Sequence, residues 1–185
     1  MTPKSWGQPI ERSISPPTIP GCYFPKANYL TMLGRPSEGL GAAGAGLAVN
    51  PNYVPLLMPR AVAENSLGRY EQAKADAQLA IRLSPRDPWL GPFHGMIGSA
   101  ELGLGHVDAA IDQFHQEIDW GYRGYQAYAG LAAAYAQAGK MDEAKDALAE
   151  ARRINPKLTV RWMTKHGPGN PAVLDGLRKA GLPEE

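Results

Sequence analysis

YQAYAGLAAAYAQAGKMDEAKDALAEARRINP, residues 125–156, reads as two amphipathic helices joined at one glycine. Tyr128, Leu131, Ala132 and Tyr135 fall at i, i+3, i+4 and i+7, a single apolar stripe at the α-helical period. Gly139 ends that helix, because glycine adopts the left-handed conformation of a C-terminal cap at little steric cost. Asp142 then stands near the start of a second helix, where its charge suits the positive end of the dipole. Ala144, Ala147, Leu148 and Ala151 make the second stripe, Arg152 and Arg153 suit its negative end, and Asn155-Pro156 stops it. Neither helix can hide its apolar stripe alone, so the pair is expected to pack as a hairpin with small residues at the crossing.

The same plan recurs upstream. Turn glycines at Gly34, Gly68, Gly105 and Gly139 are spaced 34, 37 and 34 residues apart. Five residues after each stand Gly39, Ala73, Ala110 and Ala144; seventeen after stand Pro51, Pro85, Tyr122 and Pro156. A repeat at this period is the signature of stacked helix pairs, each hiding its neighbour's apolar side. The repeats run 20–53, 54–87, 91–124 and 125–158, with Pro88-Trp89-Leu90 as the insert that lengthens one interval. In the second, Leu57, Ala61 and Glu64 precede the turn and Tyr70, Ala73, Ala77 and Ala80 follow it. The third replaces its closing proline by Trp120-Gly121-Tyr122. The first is degenerate: Gly39, Gly41, Gly44 and Gly46 fall in its second helix, each costing about 0.8–1.0 kcal/mol relative to alanine. That helix is expected to depend on packing against the second repeat.

Residues 1–19 hold four prolines and no helical period, and read as an extended or disordered arm. After Pro156 the register changes. A short apolar set (Val160, Trp162, Met163) leads to the breaker Gly167-Pro168-Gly169, and Asn170-Pro171 makes a helix start with Asn170 as cap. Val173, Leu174 and Leu177 form that helix's stripe, so 159–185 are expected to cap the last apolar face of the array.

Composition bounds the function. At 185 residues with 44% apolar and 20% charged side chains the chain supports one globular array. A net charge of +1 gives no basic face for nucleic acid. One cysteine, Cys22, excludes an internal disulfide framework, and the chain has no apolar run of roughly 18 residues to span a membrane. The start lacks the apolar core of a secretory signal, which makes the cytoplasm the expected location. His94, His106, His115 and His166 fall in no HxxxH or HExxH pair, so no metal or cofactor is expected. GLGAAGAG, 39–46, lacks the Gly-Lys-Ser/Thr ending of a phosphate loop. No catalytic constellation is visible, and the chain reads as a non-enzyme.

These columns resemble the tetratricopeptide pattern, in which a bulky residue, a Leu, a small residue and a Tyr precede the turn and Ala, a bulky apolar residue, Ala and Pro follow it. The resemblance covers 20–158 and implies an all-α, right-handed solenoid of about four helix-turn-helix repeats with a C-terminal capping helix. More narrowly, LSPRDPW (83–89), HVDAAIDQF (106–114), LAAAYAQAGKMDEAKDALAE (131–150) and NPAVLDGLRKAGLPEE (170–185) are similar to the C-terminal repeat regions of bacterial class III adenylate cyclases and to arrays in winged-helix transcription regulators. That likeness implies a regulatory or interaction module with no catalysis of its own; the alternative to a scaffold is a regulatory module or remnant of a bacterial adenylate cyclase or transcription regulator acting in trans.

In the tetratricopeptide family the first helix of each repeat lines a concave groove that takes an extended peptide or a partner helix. By register the groove-facing residues are Asn28, Thr31, Met58, Val62, Asn65, Ser99, Leu102, Gln126, Ala129, Ala133 and Gln137. The set holds no Lys or Arg, so a carboxylate entering it would lose hydration without compensation. A protein partner presenting an apolar or amphipathic segment is therefore expected, and residues 1–19 are themselves a candidate occupant. The alternative is that these alanines serve only tight helix packing. Trp89, Phe93, Trp120, Tyr122 and Tyr125 gather at the junctions of the third repeat, either as a partner-binding hot spot or as a weld between repeats.

Overall fold

The computed structural model describes residues 19–166 and 169–185; the expected arm, apart from Ile19, lies outside them. A 3-10 turn at Pro20–Tyr23 leads into α1 (Phe24–Met32), which pairs with α2 (Pro36–Val49). The hairpins α3 (Val54–Ser66) with α4 (Tyr70–Leu83), α5 (Leu90–Gly103) with α6 (Val107–Asp119), and α7 (Tyr125–Gln137) with α8 (Met141–Ile154) follow. Two further helices, α9 (Val160–His166) and α10 (Pro171–Lys179), complete the order, and among the described residues there is no strand. Each hairpin packs on the next through α2 on α3, α4 on α5 and α6 on α7, with the first helices also meeting in sequence. This is the stacking of a solenoid, and the fold is all-α and of the tetratricopeptide type.

The four turn glycines all have positive φ, from 71° to 81°. Beyond each, the next amide reaches back to a carbonyl five residues earlier: Arg35 to Leu30, Arg69 to Glu64, His106 to Glu101 and Lys140 to Tyr135, at 2.8–3.0 Å. That closes the helix end as a Schellman motif, which a β-carbon at the glycine would strain. The third repeat ends its second helix with the same device instead of a proline: Gly121 has φ 90°, and the Tyr122 amide bonds the Glu117 carbonyl at 3.2 Å.

The second helix of the first repeat is more regular than its composition suggests, and its glycines divide into two kinds. A β-carbon on Gly39 would meet the Ala27 carbonyl oxygen at 3.0 Å and the Thr31 side chain; one on Gly46 would meet Leu56 and Tyr23. These two, seven residues apart on one face, let α2 approach α1 and α3 closely. Gly41 and Gly44 face open space. Gly41→Ala and Gly44→Ala are each expected to stabilise the protein by up to about 0.8–1.0 kcal/mol through helix propensity, whereas Gly39→Ala should destabilise it. Thermal denaturation of the single variants measures both signs.

The C-terminal segment does not extend the row. α10 packs on α7 and, to a smaller extent, α5, the first helices of the fourth and third repeats, so it lies along the inner face rather than beyond α8. Asn170 caps it, accepting hydrogen bonds from the Ala172 and Val173 amides at 2.9 and 3.4 Å. Val173, Leu174 and Leu177 are buried against Leu102, Leu131 and the alanines of α7. The contact is close because Gly176 has no side chain: a β-carbon there would lie 2.5 Å from the Ala133 carbonyl oxygen. The last residues return to α9, whose Val160 and Arg161 amides bond the carbonyls of Pro183 and Glu184 at 2.9 and 3.0 Å.

Candidate functional site

The inner faces of α1, α3, α5 and α7, flanked by α9 and α10, surround a half-open chamber of about 260 Å³. The return is complete enough that a β-carbon on Gly34, in the first turn, would lie 3.8 Å from the Thr164 carbonyl oxygen at the end of α9. Eight of the residues placed on the groove by register line this chamber: Asn28, Thr31, Met58, Val62, Asn65, Ser99, Gln126 and Ala129. Leu102, Ala133 and Gln137 do not reach it, because α10 covers that stretch of the inner face. Ala133 lies beneath Gly176, Leu102 is buried with the α10 stripe, and the Gln137 amide donates to the Ala172 carbonyl at 2.9 Å.

The aromatic group does not assemble as one cluster. Phe93 is 1% exposed and packs in the core of the first two repeats. Trp89, Tyr122 and Tyr125 line the chamber, with Trp89 57% exposed at its edge. Trp120 is 56% exposed and takes no part in the lining. Tyr125 also meets Trp162 of α9 edge-to-face at 5.5 Å between ring centres, and burial pushes its hydroxyl up to about 12.

The chamber contains residues that register alone did not place there: Met96 of α5, Phe114 and Glu117 of α6, Met163 of α9, and Asn170 and Val173 of α10. Asn170 has two roles, since its amide nitrogen donates to the Ser99 carbonyl at 3.1 Å while its oxygen caps α10. Asn65 donates to the Met96 carbonyl at 3.0 Å, and its side-chain oxygen has no partner. Glu117 is 4% exposed, and burial raises its carboxyl to about 8. The sequence carried a signal for it: Ala110, Phe114 and Glu117 fall at i, i+4 and i+7, which places an acid on an apolar stripe.

Two other acids occupy the slot four residues before the turn, where Tyr135 stands in the fourth repeat. Glu101 is held below the usual carboxylate range: burial opposes ionisation, but Lys74 and His106, at 2.7 and 2.8 Å, outweigh it. Glu64 goes the other way, to about 7, through burial and then the charge of Asp76, which Arg60 pairs with directly. The remaining histidines make local contacts: His94 with Gln113 and His115 with the Tyr135 hydroxyl, each at 2.9 Å, while His166 stacks on Trp162. Among the described residues no three His, Cys, Asp or Glu side chains come together as a metal site, and no helix is long and apolar enough to cross a membrane.

A family model for the tetratricopeptide repeat matches residues 60–87 and 125–158, within the second and fourth repeats. A segment of 70 residues is 36% identical to the DnaJ homolog subfamily C member 7 homolog of Schizosaccharomyces pombe, covering 38% of this chain and only 15% of that relative. Among solved structures, the APC/C hetero-tetramer Cut9–Hcn1 is similar with a TM-score of 0.69 and 19% identity, over 89% of this chain and 30% of that one. A thermophilic TPR protein of Thermus thermophilus is similar with a TM-score of 0.66 and 18% identity, over 87% and 89% of the two chains. At these identities the structures speak for the fold. The narrower likeness to adenylate cyclase and winged-helix arrays finds no support among these matches.

Proposed function

We propose that this chain is a non-catalytic protein-interaction scaffold whose concave face receives an amphipathic segment of a partner protein. The observation that carries this reading is α10. A nine-residue helix with one apolar stripe seats itself on α5 and α7, so the inner face already accommodates a helix of that kind within its own chain. The stretch lined by α1, α3 and α5 is left for a partner, and its apolar side chains include Met32, Met58, Val62, Met96 and Trp89. Methionine-rich surfaces adapt to varied apolar side chains. No lysine or arginine lines the chamber among the described residues, and an acidic chain terminus entering it would be desolvated without compensation.

Photo-crosslinking with the full chain tests the location. A benzophenone side chain at Val62, on the inner face, is expected to form adducts with a captured partner. The same group at Asp146, exposed on α8, should form none. Adducts from Asp146 with none from Val62 would overturn the concave-face reading.

A further inference from the structure

Glu117 is the one charged side chain among the described residues that line the chamber, and it meets no cation or hydrogen-bond donor there. It is more than nine-tenths buried and sits in the last turn of α6, where the negative end of the helix dipole adds to the cost of ionising it. The space around its carboxyl is maintained by Gly95 of α5, since a β-carbon there would collide with both carboxylate oxygens. A buried acid with no partner is costly to keep unless something meets it. On the same wall the Asn65 side-chain oxygen, an acceptor, is buried and has no partner among the described residues. The Asn65 oxygen, and Glu117 once it is ionised, therefore both accept from a donor. Tyr122, Tyr125 and Trp89 add aromatic faces, which attract cations through their quadrupoles.

We infer that the chamber is a binding site for a primary alkylammonium group, with the ammonium on Glu117 among the Tyr122, Tyr125 and Trp89 rings and the carbon chain along Met58 and Met96. An ammonium brings three donors and one positive charge, which matches what this wall lacks. The volume suffices: an apolar cavity of about 150 Å³ holds benzene. The group belongs either to a free aliphatic amine or to a lysine side chain on a docked segment. The lysine case rests on the scaffold reading, and the free-amine case does not.

Binding should depend on pH in a defined sense. An ammonium binds the ionised carboxylate, so affinity follows the fraction of Glu117 that has lost its proton. The other ionisable groups on the lining are Tyr122 and Tyr125, both raised by burial, and no Lys, Arg, His or Asp faces it among the described residues. With Glu117 titrating near 8, affinity should rise about tenfold from pH 7 to pH 9.

Titration calorimetry of the full chain with hexylammonium, 1-hexanol and hexanoate supplies the test. At pH 9 hexylammonium should bind at least about tenfold tighter than hexanol, and hexanoate should not bind. Glu117→Gln, the same shape without the charge, should erase both the preference and the pH dependence. Equal affinities for the amine and the alcohol in the wild-type protein would overturn the site, whatever the variant's stability. So would a preference that survives Glu117→Gln. A capped lysine peptide, compared with its norleucine counterpart, identifies the source. Tighter binding of the peptide than of hexylammonium assigns the lysine of a partner, and the reverse assigns a free amine; both support the site. Amine binding that persists when no inner-face crosslink forms would sink the scaffold reading and leave this one standing.

Discussion

Raising the pH from 5.5 to 9 should destabilise this protein, with a melting temperature lower by roughly 5–10 °C. The cause is Glu117 and, behind it, Glu64. Burial holds the Glu117 carboxyl at about 8, whereas in the unfolded chain it titrates near its ordinary value of 4.5. Between those values the folded state binds one more proton than the unfolded state, so stability falls as pH rises through that window. Glu64, at about 7, adds a smaller contribution of the same sign. Each pKa unit is worth about 1.4 kcal/mol, which puts the joint effect on the order of 2–4 kcal/mol. Glu101 works in the opposite direction, because its carboxyl is depressed; its contribution is present above the ordinary carboxylate value and is lost in acid. On these three groups stability should be greatest near the ordinary carboxylate value of 4.5, bounded below by Glu101 and above by Glu64 and Glu117. Glu117→Gln should flatten the alkaline limb while leaving the acid limb in place. Denaturation midpoints across the pH series read this directly, and an unchanged alkaline limb in the variant would show that Glu117 is not the buried acid responsible.

How far the sequence reveals this molecule depends on the range of the interaction. The hairpin at 125–156 is written in local periodicity and in one turn glycine, and the same marks locate the other three turns because each Schellman closure involves only neighbouring residues. Asn170-Pro171 announces the start of α10 for the same reason. Where α10 lies is a different matter. Its position is set by contacts such as Asn170 with Ser99, 71 residues apart, and by the fit of Gly176 onto Ala133. A stripe of Val173, Leu174 and Leu177 says that a face must be covered without saying by what. Register consequently placed Leu102, Ala133 and Gln137 on the inner face, yet could not indicate that the chain's own last helix covers them. The aromatic residues show a second limit. Phe93, Trp89 and Trp120 are close in the repeat pattern, but their side chains end in the core, at the chamber edge and in solvent. Glu117 and the pair Gly39 and Gly46 were legible as anomalies of spacing, an acid on an apolar stripe and two glycines seven residues apart on one face, although neither names its partner.

Gly176 turns that docking into a question of sign. By helix propensity alone, replacing a glycine inside α10 with alanine should stabilise the protein by about 0.8–1.0 kcal/mol, as expected at Gly41. Packing demands the reverse. The β-carbon would approach the carbonyl oxygen, Cα and Cβ of Ala133 at 2.5–2.8 Å, and two of those atoms belong to the backbone of α7, which cannot step aside without disturbing its own hairpin. Gly176→Ala should therefore destabilise, and Gly176→Leu should cost roughly 3 kcal/mol or more, at the upper end of overpacking. Because each repeat of a solenoid rests mainly on its neighbours, the damage should stay local. Hydrogen exchange should accelerate across 160–185 and on the inner face of α7, with α1–α4 still protected. The inner face so exposed includes Leu102, Ala133 and Gln137, and Gly176→Leu should extend crosslinking of a captured partner to those positions. A gain in stability from Gly176→Ala would mean that propensity wins, that α10 does not rest on Ala133, and that the groove is open along its whole length.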